Sequence, residues 1–300
     1  MSTSFSPKPF PIPVVNLMGP GTQAEDDTLD YLPMPAGMAT YRAPQLPEPE
    51  ALAGHGAAVR VLHQVLQALR GWLQGEAVMP VSLAGLNAAD LALVNQVLGE
   101  GEVSAQVLAA PGERNPAASV QAQVQVQESV FAGVWRVLQW AHDGVMRDSI
   151  EVGAVPAVLK AAARDDGRSS LPTLAVPPGI MNAQAVLTEL ADHRQHWRAG
   201  QPAEVVNLSL LPLSPDDIGF MDHQLGTGRV LILSRGYGNC RISNCRVPNT
   251  WRVVYYNSAD TVILNSVEVT DMPEVACAAR EDLADSAERL AEVLAWVQQG

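Results

Sequence analysis

The segment Leu86–Val103, LNAADLALVNQVLGEGEV, decides how this chain is organised, because a second version occurs at Leu213–Val230 as LSPDDIGFMDHQLGTGRV. Aligned without gaps, the two segments are identical at six of their eighteen positions, whereas composition alone predicts about one identity. Most other positions hold residues of similar character, such as Leu91 and Ile218. The pair of segments therefore predicts that the chain is internally duplicated.

The match continues towards the C-terminus of each segment. Trp135–Val137 recurs as Trp251–Val253, and Ser149–Val152 recurs as Ser266–Val269. These separations are 116 and 117 residues, against 127 for the first pair of segments, so the second copy is shorter in between. We therefore expect both tryptophans to occupy equivalent, buried positions in two similar units.

Four regions follow from this match and from the composition. Ten of the 22 prolines lie in residues 1–50, which argues against regular helix or central strand there. Residues 167–179 contain the Gly, Ser and Pro residues that are typical of linkers. The predicted regions are a Pro-rich acidic arm at 1–51, a first α+β repeat at 52–166, a linker at 167–179 and a second α+β repeat at 180–300.

Each repeat is predicted to begin with a helix, a short strand and a second helix. Apolar residues three and four positions apart favour the first helix, while Asn87 and Ser214 are suitable N-caps for the second. Gly99 and Gly226 are suitable residues to end it. The predicted elements are Ala58–Leu73, Val78–Leu83 and Asn87–Gly99 in the first repeat, and Ala183–Trp197, Val205–Leu211 and Ser214–Gly226 in the second.

Strands and a final helix complete each repeat. Ser119–Gln127 alternates small apolar residues with glutamines, which predicts a strand with one face in water. Pro156 and Pro273 are expected in the first turn of the final helices. The predicted hairpins are Trp135–Trp140 with Val145–Val152 and Trp251–Tyr256 with Thr261–Val269. The fold class is α+β: a duplicated unit of helix, strand, helix, hairpin strands and helix, preceded by a Pro-rich extended arm.

Charge limits the classes of partner. The net charge of −13 disfavours nucleic acid and anionic membrane surfaces and favours a basic partner. Acidity that serves only to keep the protein soluble is the alternative. The 47% hydrophobic and 17% charged content is globular. Because the N-terminus lacks a basic and then apolar leader, and the three cysteines suggest free thiols, we expect a cytoplasmic protein.

The acidic part of the arm is the predicted partner-binding surface. Its carboxylates lie beside apolar side chains, a combination that suits a basic and apolar peptide. An ordinary solvated loop is the alternative. The residues assigned to this surface are Glu25, Asp26, Asp27, Asp30, Tyr31 and Met34.

Motifs for catalysis, metal or cofactor binding are weak, and we predict none of these functions. The Gly-x-Gly pairs beginning at Gly99 and Gly226 follow a helix and open a strand, the reverse of a nucleotide-binding loop. The residues between Cys240 and Cys245 give the wrong spacing for a zinc site, although a redox or metal pair is an alternative. The histidines, including His193 and His196, are expected to be solvated. Glu151 and Glu268, which recur in both repeats, are expected to lie on a solvated strand face or to form a structural pair across the two halves, rather than to act in catalysis.

The chain resembles the HupH/HyaF/HoxQ family of hydrogenase expression and formation proteins over most of its length. Three groups of segments carry the resemblance. One lies in the arm, one spans the first repeat and one spans the second repeat. They are Gly19–Gln23, Leu32–Pro35 and Leu46–Glu50, then Leu98–Ser104 and Gln127–Val137, then Leu231–Cys240, Asn265–Pro273 and Glu281–Leu290.

The resemblance implies a non-catalytic assembly chaperone for nickel–iron hydrogenase maturation. Members of the family are thought to hold the iron–sulfur small-subunit precursor, which carries a twin-arginine signal, before its export. The implied partners are this precursor and other hydrogenase accessory proteins, with no cofactor of the chaperone itself. The alternative is a redox or iron–sulfur transfer protein that uses Cys240 and Cys245.

Overall fold

A computed structural model describes residues 54–109, 122–141, 145–168, 176–236 and 238–297. The arm at 1–51 and most of the expected linker lie outside these ranges. The first half contains α1 (Gly56–Leu73), β1 (Val81–Ser82), α2 (Ala88–Leu98), β2 (Val103–Leu108), β3 (Ala122–Glu128), β4 (Val134–Trp140), β5 (Met146–Val152) and α3 (Ala157–Asp165). The second contains α4 (Ala183–His196), β6 (Glu204–Asn207), α5 (Pro215–Leu225), β7 (Thr227–Ser234), β8 (Asn239–Cys245), β9 (Thr250–Tyr256), β10 (Val262–Val269) and α6 (Arg280–Val297).

One antiparallel sheet runs through both halves, in the order β1-β5-β4-β3-β2-β7-β8-β9-β10-β6. The halves meet where β2 pairs with β7. At this junction Ala105 lies opposite Ile232, a residue 127 positions later in the chain, which is the spacing of the repeated segments. The α+β class is therefore confirmed, and the two halves share a continuous sheet.

Alternation along the strands separates the core onto the two faces of the sheet. In β4, Val134 packs with α1, α2 and α6, whereas Trp135 and Val137 pack on the opposite face. The second half places α4 and α5 against β6 and β10 in a cluster of their own. The face with the tryptophans is covered by α3 and by residues 272–276. Helices therefore cover both faces, and no helix in the described ranges is long and apolar enough to cross a membrane.

Capping residues set the limits of the second helix in each half. The side chain of Asn87 accepts a hydrogen bond from the N–H of Asp90, and that of Ser214 accepts one from the N–H of Asp217. Each helix is then ended by a glycine with positive φ, 57° at Gly99 and 65° at Gly226. These limits agree with the sequence prediction.

The edge strands are shorter than expected. Only Val81 and Ser82 of the predicted strand Val78–Leu83 pair with β5, because Pro80 has no N–H to donate to the ladder. The predicted strand Val205–Leu211 is replaced after Asn207 by a 3-10 turn. In both cases the predicted strand exists, but it is shorter than predicted.

Two further expectations are wrong. Gln125 and Gln127 are only 5% and 9% exposed, so the glutamine face of β3 is not in water. Gln127 lies opposite Arg136 under α2, and its Nε2 donates to the carbonyl of Gly101 at 3.1 Å. Pro273 precedes only a 3-10 turn, and the long final helix starts at Arg280, because the extended backbone of Cys277 separates the turn from that helix.

Candidate functional site

The predicted partner-binding surface lies outside the described residues. Glu25, Asp26, Asp27, Asp30, Tyr31 and Met34 all fall before residue 54, where the description begins. Their role stays a prediction.

Polar contacts of two carboxylates join α3 to the second half. Asp166, at the C-terminus of α3, accepts hydrogen bonds from the backbone N and the Nε of Arg229 at 2.6 and 2.7 Å, and from Asn244 Nδ2 at 3.0 Å. Burial alone would raise the pKa of Asp166, but these donors outweigh it and hold the pKa below its ordinary value. The carboxylate therefore remains charged and ties the helix to β7 and β8.

A second carboxylate extends this junction. Asp271 accepts from Lys160 Nζ at 2.7 Å and from Arg164 Nη2 at 3.0 Å. Burial opposes these contacts, yet the two cations keep the pKa of Asp271 below its ordinary value. Both cations belong to α3, so the helix is held to the second half by carboxylates at two positions.

A cleft of about 320 Å³ lies beside these contacts and is the candidate functional site. Its walls combine cations of α3 with a buried tryptophan and a buried thiol of the second half. Such a cleft could hold a small polar group, although its cations are already paired with Asp271. The lining residues that matter here are Lys160, Arg164, Asn244, Cys245, Trp251 and Asp271.

Glu128 is a buried acid next to the first helix-to-strand turn. It is 7% exposed, and its Oε1 accepts from the N–H of Gly133 at 3.2 Å. Burial raises the pKa of this carboxyl to about 7, and the nearby charge of Glu102 adds to the effect. The uncharged carboxyl is therefore the form that the fold favours.

The change Glu128→Gln should stabilise the protein at alkaline pH. The raised pKa means that wild-type stability is full below about pH 4.5 and is lost as the pH rises through about 7. Gln keeps the acceptor for Gly133, so the variant should gain roughly 2–3 kcal/mol at pH 8 and little at pH 4.5. Urea unfolding at the two pH values measures this, with the exposed Glu100 of the same turn changed to Gln (Glu100→Gln) as control. Parallel pH profiles for wild type and Glu128→Gln would contradict the assignment.

The Gly-x-Gly pairs are helix-to-strand turns, as predicted. A Cβ on Gly101 would lie 2.3 Å from the carbonyl oxygen of Ser129, and one on Gly228 would lie 2.2 Å from the amide of Asn244. Adjacent residues of the same chain therefore leave no room for a side chain at these two positions, which explains why they are glycines.

The structure does not bring Cys240 and Cys245 together. They stand five residues apart on β8, in core clusters on opposite faces of the sheet. Their separation along the strand is about 16 Å, beyond the roughly 7 Å that a disulfide allows between Cα atoms. Burial raises the pKa of both thiols to about 12, which disfavours the reactive thiolate.

The histidines differ from one another in environment. His196 is exposed, as predicted, with Nδ1 2.9 Å from the carbonyl oxygen of Asp192. The prediction is only partly right for His193: the residue is partly exposed, but its Nδ1 is buried without a hydrogen bond. Among the residues in the described ranges, no group of three or more His, Cys, Asp or Glu side chains is arranged to hold a metal ion.

Glu151 and Glu268 occupy equivalent ladder positions. Glu151 lies opposite Trp135, and Glu268 lies opposite Trp251. Burial raises the pKa of both carboxyls. The Oε2 of Glu151 also accepts from the N–H of Ala157 at 3.2 Å, at the start of α3. That contact gives Glu151 a structural role as a helix cap.

Sequence reasoning missed the two carboxylates that join α3 to the second half. Asp166 and Asp271 carry no motif, so nothing in the sequence marked them. Asp217 could have been found, because it is one of the six identities between the repeated segments and matches Asp90. Both of these aspartates are buried, at 1% and 4% exposure.

Comparison with known proteins gives consistent matches. The family model described as HupH hydrogenase expression protein, C-terminal conserved region, matches twice, at residues 56–175 and 180–297. The hydrogenase expression/formation protein HoxQ of Cupriavidus necator is 54% identical, over 96% of this chain and 98% of that protein. HupH of Rhodobacter capsulatus is 44% identical over 95% and 97% of the two chains.

More distant matches carry related names. The hydrogenase-1 operon protein HyaF of Escherichia coli is 33% identical, over 95% of this chain and 96% of that protein. A solved structure of the hydrogenase expression protein HupH from Thiobacillus denitrificans is 29% identical, covers 38% of this chain and 95% of that chain, and has a TM-score of 0.36.

Proposed function

This chain belongs to the HupH family of hydrogenase expression proteins, and we propose that it acts in nickel–iron hydrogenase maturation as a non-catalytic assembly chaperone. The observation that carries the proposal is the family match to residues 56–175 and 180–297. It is supported by a relative, named as a hydrogenase expression/formation protein, that is 54% identical over 96% of the chain. A shared maturation role explains identity over nearly the whole length better than a shared fold alone.

The proposed client is the iron–sulfur small-subunit precursor with its twin-arginine signal. A net charge of −13 suits a partner that begins with a basic segment, because opposite charges accelerate the encounter. The proposed contact surface is the acidic segment Glu25, Asp26, Asp27 and Asp30 with Tyr31 and Met34. Its carboxylates would pair with arginines, while the two apolar side chains would contact the apolar part of the signal.

We also propose that the two halves are copies of one unit, with boundaries near 52–166 and 180–300. The support is the twofold family match and the pairing of Ala105 with Ile232 at the repeat spacing. Trp135 and Trp251 have similar surroundings, since each is 1% exposed in the same core cluster and donates from Nε1 to the carbonyl just after the neighbouring strand. Superposition of the two ranges tests the duplication, and unrelated paths of the equivalent strands would contradict it.

The alternative function, redox or iron–sulfur transfer through Cys240 and Cys245, has less support. The two thiols lie on opposite faces of the sheet and have raised pKa values. Hydrogenase maturation should therefore be unchanged when both cysteines are replaced by Ser. Loss of hydrogenase activity in cells that carry a folded double variant would favour the redox function instead.

Binding of the precursor tests the chaperone function directly. The full-length chain should bind the small-subunit precursor in a pull-down and in surface-based kinetics. Removing the signal segment from the precursor should weaken the binding. Cells without the chain should lose hydrogenase activity, and the wild-type chain should restore it. A full-length chain that shows no affinity for the precursor would refute the proposed client.

Neutralising the acidic segment should slow association with the precursor. The variant carries Glu25→Gln, Asp26→Asn, Asp27→Asn and Asp30→Asn, and we expect a roughly tenfold lower association rate at low salt. The loss should shrink near 0.1 M salt, where charges are screened beyond about 10 Å. Rates measured over a salt series give both quantities.

A matched control removes the same charge elsewhere. Glu281, Asp285, Glu288 and Glu292 are exposed on α6, and their neutralisation changes the net charge by the same amount. This control should associate faster than the variant of the acidic segment. If association is insensitive to both sets of changes and to salt, recognition does not depend on the charge of this segment.

A further inference from the structure

A groove of about 560 Å³ lies at the edge of the sheet in the first half, between β5 and the chain that leads from α1 to β1. Trp72 and Glu76 form one wall, at and after the end of α1, and Glu151 and the first turns of α3 form the other. Met79 also lines the groove and is 82% exposed. Lys160 borders both this groove and the smaller cleft on the second half. The groove therefore combines apolar surface with two carboxylates.

The backbone of β5 is open to this groove at Val152. The N–H of Leu83 donates to the carbonyl of Asp148 at 2.9 Å, so alternate residues of β5 direct their N–H and C=O groups towards β1. Ile150 uses this side to pair with Val81, where β1 begins. Val152 is the next residue in the alternation, and within the described ranges no strand lies opposite it on this side. Its N–H and C=O are therefore available to a further extended chain.

The second half shows the same edge position with a strand in place. Val152 and Val269 each follow a glutamate that lies opposite a buried tryptophan. β6 runs along β10 as far as Val269, which lies opposite Glu204. In the first half β1 accompanies β5 only as far as Ile150. The groove is therefore the space in which an added strand would complete the edge of the sheet.

Two cations near the groove are engaged by other groups of the chain. Lys160 Nζ donates to Asp271 at 2.7 Å. The guanidinium of Arg280 lies 6.0 Å from the ring centre of Trp72, and its Nη2 donates to the carbonyl of Leu73. Neither cation therefore neutralises the carboxylates of the groove.

The two carboxylates leave a place for a cation. Within the described ranges, neither Glu76 nor Glu151 forms an ion pair. Glu151 accepts from the N–H of Ala157 at 3.2 Å, and burial raises the pKa of this carboxyl because no cation offsets the loss of water. A ligand with a positive charge would supply the missing partner.

We propose that this groove binds a short extended segment of a partner protein in which a basic residue adjoins an apolar one. The segment adds a strand beside Val152, as Glu204 does beside Val269. Side chains of a strand alternate between the faces of the sheet. Since Val152 packs towards α1 and Glu151 lies against α3, the apolar residue of the segment contacts Trp72 and its basic neighbour pairs with Glu151.

Charge favours a basic partner over a second copy of this chain, because two copies that each carry a net charge of −13 repel each other. The groove lies on the folded part of the chain, away from the segment proposed to contact the precursor in sequence. The inference holds for any partner with this chemistry, whether or not the small-subunit precursor is the client.

Binding of synthetic peptides to the full-length chain tests the groove. The probe is a fluorescent, end-capped hexapeptide in which valine and arginine alternate. Saturable binding is expected in an anisotropy titration at low salt, together with protection of the Val152 amide from hydrogen exchange. A peptide with glutamate in place of arginine should not bind, and neither should an arginine peptide with a methylated backbone, because it cannot pair with the edge of β5.

Two variants locate the binding, each with a matched control. Glu151→Gln keeps an acceptor for Ala157 and should weaken binding by about tenfold, whereas Glu268→Gln, at the same ladder position beside β6, should leave it unchanged. Met79→Ser should weaken binding by about threefold. Met181→Ser should have no effect, since Met181 is equally exposed, at 81%, but lies before α4.

Equal losses in each variant and its control would overturn the proposal, as would binding of the methylated peptide or a Val152 amide that stays unprotected. Dimerisation that Met79→Ser abolishes, without peptide binding, would assign the edge to a second copy instead. Because the probe is a synthetic peptide, failure of the chain to bind the small-subunit precursor would refute the proposed client and leave this result unaffected.

Discussion

Replacement of Trp135 or Trp251 by Ala is expected to lower the free energy of unfolding by about 3–5 kcal/mol in each case. Both residues are 1% exposed, in the core cluster covered by α3. Each indole also donates a hydrogen bond from Nε1, at 2.8 Å to the carbonyl of Gly153 and at 3.2 Å to that of Thr270. Truncation leaves a large cavity and an unsatisfied carbonyl, so packing and hydrogen bonding are lost together.

Urea unfolding of the full-length chain measures these losses. Trp→Phe at either position separates the two contributions, because Phe keeps much of the packing but cannot donate from Nε1. Trp296→Ala is the exposed control, since this residue is 40% exposed on α6 and should change stability by about 0.5 kcal/mol or less. Normal stability of the Trp135→Ala variant together with loss of precursor binding would show a role in recognition instead.

Replacement of Asp217 by Ala should lower the free energy of unfolding by about 3–4 kcal/mol, because its carboxylate joins the N-termini of two helices. Oδ2 accepts from the backbone N and the hydroxyl of Ser214 at 3.0 and 2.8 Å. Oδ1 accepts from the backbone N atoms before and at the start of α4, Met181 at 2.9 Å, Asn182 at 3.0 Å and Ala183 at 3.1 Å. Hydrogen bonds to a charged acceptor are worth roughly 1.5–3 kcal/mol each, but water can replace some of them here.

The same carboxylate predicts sensitivity to acid. The hydrogen bond from the Ser214 N–H is the largest cause of a pKa for Asp217 well below its ordinary value, and the donors of Asn182 and Ala183 lower it further against the effect of burial. Its stabilising contribution is therefore present above pH of about 4, the unfolded value, and is lost as the pH falls towards the folded value. Asp217→Asn should remove this part of the acid dependence.

Asp90 is the matched control in the first half. It occupies the equivalent helix position, but its carboxylate contacts side chains only. Oδ2 accepts from Asn87 Nδ2 at 2.7 Å, and Oδ1 lies 2.9 Å from His55 Nδ1. Asp90→Ala should therefore cost less than Asp217→Ala, since fewer helix N–H groups lose their acceptor. Urea midpoints at pH 7 and pH 3 for both variants give the comparison. Equal losses at the two positions would contradict the capping role of Asp217.

Local sequence patterns predicted most of the secondary structure. The spacing of apolar residues predicted Ala58–Leu73, against the observed Gly56–Leu73. Turn residues predicted the hairpin of Trp251–Tyr256 with Thr261–Val269, against the observed β9 and β10. These features depend on residues close together in the chain, which periodicity and capping chemistry describe directly. The prediction that the glutamine face of β3 is in water was wrong because solvation depends on residues far away in the chain. Alternation shows that a strand has two kinds of face, but not whether another layer covers the polar one.

The sequence by itself determined most of the helices and strands, the burial of both tryptophans and membership of the HupH family. Only the tertiary structure decided that β2 joins β7 in one sheet, that α3 is held by Asp166 to the second half, and that Cys240 and Cys245 face opposite ways. The same holds for the guanidinium of Arg252, which has no hydrogen-bond partner although Trp-Arg-Val occurs at both 135–137 and 251–253. Strand pairing and hydrogen-bond partners join residues far apart in the chain, and local propensity carries no information about which distant residue arrives beside them.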